Sequence, residues 1–281
     1  MSAEDQVDDL SDNLDGVSLD RVAPRTVLEA KHLHKTYRIR QLFKKAVEVR
    51  ALNDVSFSLA AGKTLAVVGE SGSGKSTLAK CLMRIESLDL GSGDIWLDGQ
   101  PMGQLTAKQW RHQIQMIFQD PYSSLNPRRR VIDIISEPLV IAGENSSDEI
   151  RQRALEMMAK VGLRPEFGMR FPHMFSGGQR QRIGIARALM LQPRILICDE
   201  PVSALDVSIQ AQVLNLLMDL QDDLGLSYIF ISHDLSVVKH IADEILVMHH
   251  GQVMEYGVRE QIFLAPQHAY TQTLLASHPA L

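Results

Sequence analysis

The sequence predicts an α/β fold with a mainly parallel core sheet, an antiparallel β portion near the start and a helical insertion around residues 125–180. Three observations carry this. Short, wholly apolar runs such as Thr64–Val68 (TLAVV) and Ile195–Cys198 (ILIC) are the pattern of strands covered on both faces. Strand and helix patterns then alternate from Ile195 to Ser232. Between Val131 and about Phe171 the periodicity becomes helical.

Taken in order, Val27–Leu33 and Asp54–Leu59 alternate with period two and read as strands. The basic stretch Arg38–Arg50 between them predicts a hairpin or loop. Thr64–Val68 is followed by a glycine loop and a helix over Ser76–Met83. Gly93–Leu97 with Asp98-Gly99 reads as strand and turn, and Ile114–Phe118 as another apolar strand. Ser146 and Glu149 have capping-box spacing before a helix whose apolar face is Ile150, Ala154, Met157, Met158 and Val161, with Gly162 ending it. A helix runs from the Ser176-Gly177-Gly178-Gln179 stretch to Leu191. Then come strand Ile195–Cys198, helix Ser208–Leu224, strand Tyr228–Ser232 and a hairpin of Glu244–His249 with Gln252–Tyr256.

Length and composition bound the classes. The 281 residues suit one large domain with a subdomain inserted, and 45% hydrophobic with 22% charged residues is ordinary globular composition. No apolar run is long enough to span a bilayer, and the N-terminus lacks the basic and apolar regions of a secretory signal. Cys81 and Cys198 are too far apart in sequence for a CxxC metal site and too few for a disulfide framework, so buried reduced thiols are expected. Residues 1–20 hold seven carboxylates and no Lys or Arg; taking that −7 out of the net −5 leaves the remainder at +2. The near-neutral body gives no electrostatic case for nucleic acid. The acidic segment, residues 1–26, predicts a solvated, disordered tail, with a docking or regulatory role as the alternative.

Gly69-Glu70-Ser71-Gly72-Ser73-Gly74-Lys75-Ser76-Thr77 fits GxxxxGK[ST] between a predicted strand and a predicted helix. Glycines let backbone N–H groups turn toward phosphate oxygens, and the helix N-terminus adds partial positive charge. Lys75 is expected to reach the β- and γ-phosphates of a nucleotide and Ser76 to ligate Mg²⁺. Such a loop needs a carboxylate opposite it. Asp199, ending the strand Ile195–Cys198, is expected to hold the metal, and Glu200 to orient or deprotonate an attacking water.

Ser176-Gly177-Gly178-Gln179-Arg180-Gln181-Arg182, ahead of the Asp-Glu strand, resembles the signature of ABC-type ATPases. Gln119 matches the family's Q-loop, Ser203–Asp206 its D-loop, and His233 its switch histidine. Tyr37 matches the aromatic that stacks on adenine. Phe175 stands where the family usually has Leu, a difference expected to bear on packing. The resemblance implies a P-loop nucleotide-binding fold from Val27 to about residue 265, and catalytic roles for Glu200, His233, Lys75 and Gln119. It implies metal ligation by Ser76, Gln119 and Asp199, with ATP and Mg²⁺ as ligands. Ser176, Gly177, Gly178 and Gln179 then serve the nucleotide of a partner subunit, so that ATP couples to dimerisation.

Three longer strings narrow the resemblance: Phe118–Pro127 (FQDPYSSLNP), Asp199–Ser208 (DEPVSALDVS) and Pro266–Leu275 (PQHAYTQTLL). They are similar to the ATPase subunits of bacterial dipeptide and oligopeptide importers, with nickel and glutathione importers close by. Arg38–Arg50 resembles the second ATPase of a pair, and residues 266–281 a C-terminal helical extension typical of that group. No Cys follows Cys198, so no iron–sulfur cluster is expected there. The implied partners are a second ATPase subunit, in a homo- or heterodimer, two membrane permease subunits and, indirectly, a periplasmic or extracellular substrate-binding protein. The implied location is the cytoplasmic face of the inner membrane. For the basic clusters Arg128-Arg129-Arg130 and Lys44-Lys45 a solvated face is the default expectation, although the arginine cluster follows the Gln119 loop, where the resembled family meets its membrane subunits. A soluble ATPase assisting an enzyme complex such as carbon–phosphorus lyase is the alternative function.

Overall fold

The computed structural model describes residues 25–39, 47–120, 122–144 and 146–277. The acidic segment up to residue 24, Lys44-Lys45 and Pro121 therefore lie outside the described residues.

Two sheets form the framework. Strands β1 (Thr26–Ile39), β2 (Val47–Ala60), β4 (Asp94–Leu97) and β5 (Gln100–Pro101) make an antiparallel sheet in the order β2-β1-β4-β5. Strands β3 (Thr64–Val68), β6 (Ile114–Ile117), β7 (Ile195–Asp199), β8 (Ser227–Ile231), β9 (Glu244–His249) and β10 (Gln252–Val258) make the second, in the order β10-β9-β3-β8-β7-β6. Only the β9–β10 pair is antiparallel there; β9, β3, β8, β7 and β6 run parallel. The expected core and β portion are both present.

Period two decides what each core strand touches. On β7, Ile195 and Ile197 face the cluster shared with β1, β2 and helix α1 (Lys75–Leu82), while Leu196 and Cys198 face the helical side. The same parity in β3 points Leu65 and Val67 one way and Ala66 and Val68 the other. A strand buried on both faces has no polar positions, which explains the unbroken apolar runs. Both cysteines are buried free thiols, and burial pushes the Cys81 pKa up to about 11 and that of Cys198 further.

The helical segment holds α3 (Val131–Ala142), α4 (Ser147–Lys160) and α5 (Gly177–Leu189), packed on one another over a single apolar cluster. The expected face of α4 is buried at Ile150, Ala154, Met158 and Val161, with Met157 half-buried, and Gly162 follows at φ +74°. Only half of the expected capping box forms: Ser146 Oγ accepts from the Glu149 N–H at 3.4 Å. Phe175 is buried, its ring edge-on to Phe167 at 6.3 Å, so this residue acts in packing as expected.

Several boundaries move. The β1 and β2 strands are much longer than their alternating parts, because Tyr37↔Val49 and Ile39↔Val47 continue the ladder beyond the apolar stretch. The α5 helix stops at Leu189 rather than Leu191, ahead of Gln192 at φ +51°. Short helices also lie outside the expected elements. α2 (Ala107–Gln113) has a single buried residue, Trp110, whose Nε1–H donates to the Leu82 carbonyl at 2.7 Å, and it starts at a Thr106/Gln109 capping box. α7 (Leu235–Ile241) is seven residues, capped by Asp234, whose Oδ1 accepts from the Ser236 and Val237 N–H groups. Each such cap is worth about 1 kcal/mol. α6 (Val207–Leu224), α8 (Arg259–Leu264) and α9 (Ala269–Ala276) complete the described chain. None of its helices is long and apolar enough to cross a membrane.

Candidate nucleotide site

The loop Gly69–Gly74 joins β3 to α1 with Gly69, Gly72 and Gly74 at φ +144°, +80° and +107°. Two of these glycines are fixed by their neighbours. A Cβ on Gly69 would lie 2.1 Å from the Met248 carbonyl oxygen, and one on Gly74 2.3 Å from that of Ala51. Ser73 is buried, and its carbonyl accepts from the Gly251 N–H at 2.9 Å. The loop is thus wedged between β2 and the β9–β10 turn.

Lys75 is buried at the loop's centre. Its Nζ donates to the carbonyls of Gly69 (2.7 Å) and Glu70 (2.8 Å). Burial holds its pKa below the usual lysine value, opposed by the charges of Glu200 and Asp199. Asp199 ends β7 on the α1 face, because it shares parity with Ile195 and Ile197. Burial raises its pKa, the Glu200 charge raises it further, and Lys75 lowers it. The buried Lys75 in a positive-φ glycine loop at a helix start suits a nucleotide phosphate, and the Asp199 and Glu200 carboxylates facing it suit a divalent cation, so the residues present fit both.

The sign of this shift gives a prediction. A carboxyl whose folded pKa is raised binds its proton better in the folded state. Its stabilising contribution is present below the unfolded value and lost as pH rises through the folded one. At neutral pH Asp199 is thus a net liability to the fold. Asp199→Asn is expected to raise the Tm of the nucleotide-free protein by a few degrees while weakening Mg²⁺-dependent nucleotide binding. Scanning calorimetry at pH 7.5 checks this; a lower Tm contradicts it.

Glu200 has φ +46°, the left-handed region, at a cost of order 1–3 kcal/mol for a non-glycine residue. Its N–H is held by the Ile231 carbonyl at 2.9 Å, tying the end of β7 to the end of β8. This turn sets the carboxylate between two partners. Gln119 Nε2 donates to Oε2 at 2.8 Å, and His233 Nδ1 lies 3.1 Å from Oε1. The carboxylate is 17% exposed and His233 61%. Residues from the ends of three parallel strands, 119, 200 and 233, thus converge at the carboxyl edge of the sheet, beside Lys75.

The structure leaves Ser176–Gln179 to a different neighbourhood. Ser176 caps α5, with a reciprocal Ser176/Gln179 box. The Gln179 side chain is engaged in that cap, a local role the sequence reading did not assign. A Cβ on Gly177 would meet Leu205 at 3.3 Å, and one on Gly178 would meet Ile209 at 2.4 Å. These glycines let α5 approach the start of α6, next to exposed Asp206. Tyr37 stands opposite Val49, with Lys35 Nζ 5.2 Å from its ring centre; Ala51, two residues on from Val49, is the β2 residue that abuts Gly74.

Sequence reading missed the ties of the Gln119 loop. The Arg180 guanidinium lies 4.1 Å from the Tyr122 ring centre, and Arg187 Nη1 donates to the Ser124 carbonyl at 2.6 Å. Both arginines are on α5, so the loop is strapped to the signature helix. Of the arginine cluster, Arg129 pairs with Glu137 and Arg130 Nη1 lies 3.7 Å from Met169 Sδ, while Arg128 is exposed. Beside the loop is a groove of about 600 Å³, lined by Lys108, Arg111, Phe118, Glu137, Ile141 and Arg187 among others. No group of three or more His, Cys, Asp or Glu side chains that could hold a metal occurs among the described residues.

Comparison with known proteins gives a consistent picture. Residues 52–203 match the family model described as ABC transporter. The chain is 56% identical over 259 residues to the dipeptide transport ATP-binding protein DppF of Haemophilus influenzae, covering 91% of this chain and 79% of that one. It is 51% identical over 261 residues to the oligopeptide transport ATP-binding protein OppF of the same organism, covering 90% and 78%. Among solved structures, cbiO1 of Clostridium perfringens, part of the ABC transporter complex cbiONQ, superposes with TM-score 0.73 at 28% identity, covering 86% of this chain and 92% of that one. The ATP-binding cassette MJ0796, in a dimeric post-hydrolysis state bound to ADP and Pi, gives 0.71 at 28%, covering 83% and 98%.

Proposed function

The chain belongs to the ABC transporter family, and from that premise we propose that it is the ATP-hydrolysing subunit that energises import of dipeptides or oligopeptides through separate membrane subunits. It binds ATP and Mg²⁺. The observation that carries the hydrolytic part is the Glu200 carboxylate, fixed between Gln119 and His233 beside Lys75. The peptide class rests on the named activities of its relatives.

In this reading, Gly69–Thr77 cradle the phosphates, and Lys75 leaves its loop carbonyls to pair with them. Ser76, Asp199 and Gln119 would hold Mg²⁺, which would supply neutralisation of the phosphate charge and Lewis-acid polarisation. Glu200 orients water and takes its proton. His233, donating from Nδ1 in the appropriate tautomer, fixes the carboxylate. Tyr37 stacks on the base. Ser176 and the α5 N-terminus serve the nucleotide of a second ATPase subunit, with Asp206 at the same contact. Residues 27–265 form the ATPase domain, with the helical subdomain at about 125–180 and residues 266–281 as a C-terminal extension.

The partners follow from this: a second ATPase subunit, two permeases whose cytoplasmic segment sits in the groove by Phe118 and Ile141, and through them a substrate-binding protein. The chain then works at the cytoplasmic face of the inner membrane.

Gln119 is the point where nucleotide state meets that groove, because its loop is strapped to α5 by Arg180 and Arg187. With permeases and binding protein reconstituted in proteoliposomes, Gln119→Ala is expected to reduce peptide uptake and substrate-stimulated ATPase at least ~10-fold, and basal ATPase of the isolated subunit ~3-fold or less. Equal losses in basal and stimulated activity would leave Gln119 as a metal ligand alone. Failure of any peptide to stimulate the wild-type assembly would remove the peptide reading.

A further inference from the structure

The string Pro266–Leu275 has no part in the mechanism above, yet its helix reaches the nucleotide site. The Glu70 backbone N–H, in the phosphate loop, donates to the Tyr270 hydroxyl on α9 at 3.3 Å. The other side of the same residue carries the loop's charge contacts: the Glu70 carbonyl accepts from Lys75 Nζ at 2.8 Å and from the Ser73 N–H at 3.2 Å. One residue, Glu70, therefore separates the α9 hydroxyl from the buried lysine: its N–H meets Tyr270 and its carbonyl meets Lys75.

Tyr270 is itself held firmly. Its ring lies against His249 with centroids 4.1 Å apart, and His249 in turn contacts His250 at 4.0 Å. His249 ends β9, the strand whose Met248 carbonyl blocks any side chain at Gly69. The start of the helix is fixed by Glu255 on β10, whose carboxylate accepts from the Gln267 N–H (2.8 Å) and the His268 N–H (3.1 Å). The His268 ring nitrogen caps Tyr270 N–H at 3.1 Å. Leu274 packs in the cluster with Val68, the residue before Gly69, and Ile262 of α8.

We propose that Tyr270 is a positioning residue of the nucleotide site, and that α9 acts as a brace setting the outer limb of the phosphate loop through the Glu70 backbone. The proposal rests on reading Gly69–Thr77 as the phosphate cradle. Its physical content is preorganisation. A loop limb fixed before the nucleotide arrives loses less freedom on binding, so removing the brace weakens affinity and spares the chemical step. Glu200, Gln119 and His233 lie on other strand ends and are untouched by the contact.

Tyr270→Phe removes only the hydroxyl and keeps the ring on His249. With the purified full chain and N-methylanthraniloyl-ATP plus Mg²⁺ as the probe, this variant is expected to bind about three- to tenfold more weakly, the range one lost hydrogen bond gives. The KM for ATP should rise in parallel, with kcat within twofold of wild type. Tyr270→Ala should weaken binding further and lower Tm as well. A merely structural role would lower Tm and the active fraction of Tyr270→Phe without moving its affinity. Unchanged affinity in Tyr270→Phe, or a fall in kcat at constant KM, would overturn the proposal. Lys75→Ala serves as the control for the premise: it should lose probe binding whatever Tyr270 does, and retention there would point to a fault in the cradle reading instead.

Discussion

Glu200→Gln is expected to bind ATP within about threefold of wild type and to hydrolyse it at least ~100-fold more slowly. The amide has the size of the carboxylate, and its oxygen still accepts from Gln119 Nε2, which lies 2.8 Å from Glu200 Oε2. The Glu200 N–H bond to Ile231 and the left-handed backbone also persist, because neither involves the side chain. What disappears is the proposed proton acceptor, while Lys75 and Asp199 stay in place. Binding without turnover should hold two ATPase subunits, two copies of this chain or this chain with the proposed second subunit, together around ATP. Size-exclusion chromatography with and without Mg-ATP reads this directly, beside a phosphate-release assay. A variant with near wild-type turnover would show that the base lies elsewhere.

Gly69→Ala is expected to lose at least ~100-fold in ATP affinity and to unfold at a clearly lower temperature. The new Cβ would lie 2.1 Å from the Met248 carbonyl oxygen and 3.0 Å from Ser73 Oγ, at a φ of +144° that L residues rarely adopt. Met248 lies on β9, which pairs with β3 along Leu65–Val68, so this wall cannot retreat without breaking the ladder. The loop has to move instead, and with it the amides and Lys75. Gly62→Ala separates the two causes. Gly62 also has a positive φ, +71°, but a Cβ there meets nothing within 4 Å. It should cost about 1 kcal/mol from backbone strain and leave ATP affinity unchanged. Isothermal calorimetry and thermal melts on both variants check this. If the two behave alike, the clash with β9 is not what makes Gly69 necessary.

Most of the site was legible in the sequence for a local reason. The phosphate loop needs several residues within nine positions, and Asp199-Glu200 needs only the end of an apolar strand. Gln119 and His233 stand at strand ends whose parallel pairing brings their chain termini to one edge. Helices α2 and α7 were not legible. Each is seven residues long, barely two turns, and starts at a side-chain cap; α2 adds one buried contact, Trp110 on Leu82, while α7 buries Leu235, Val237, Val238 and Ile241.

The sequence by itself determined the fold class, the strand parity that sets Asp199 on the α1 face, and the residues able to handle phosphate and water. Those properties depend on residue type and short spacing, which the chain states directly. Tertiary structure alone decided the rest. It put Gln119 and His233 on either side of one carboxylate, and used the Gln179 side chain in the α5 cap. It strapped the Gln119 loop to α5 through Arg180 and Arg187, and set Tyr270 against Glu70, 200 residues away in the chain. Contacts across such separations are fixed by sheet order and helix packing, in which the position of each group depends on every element between.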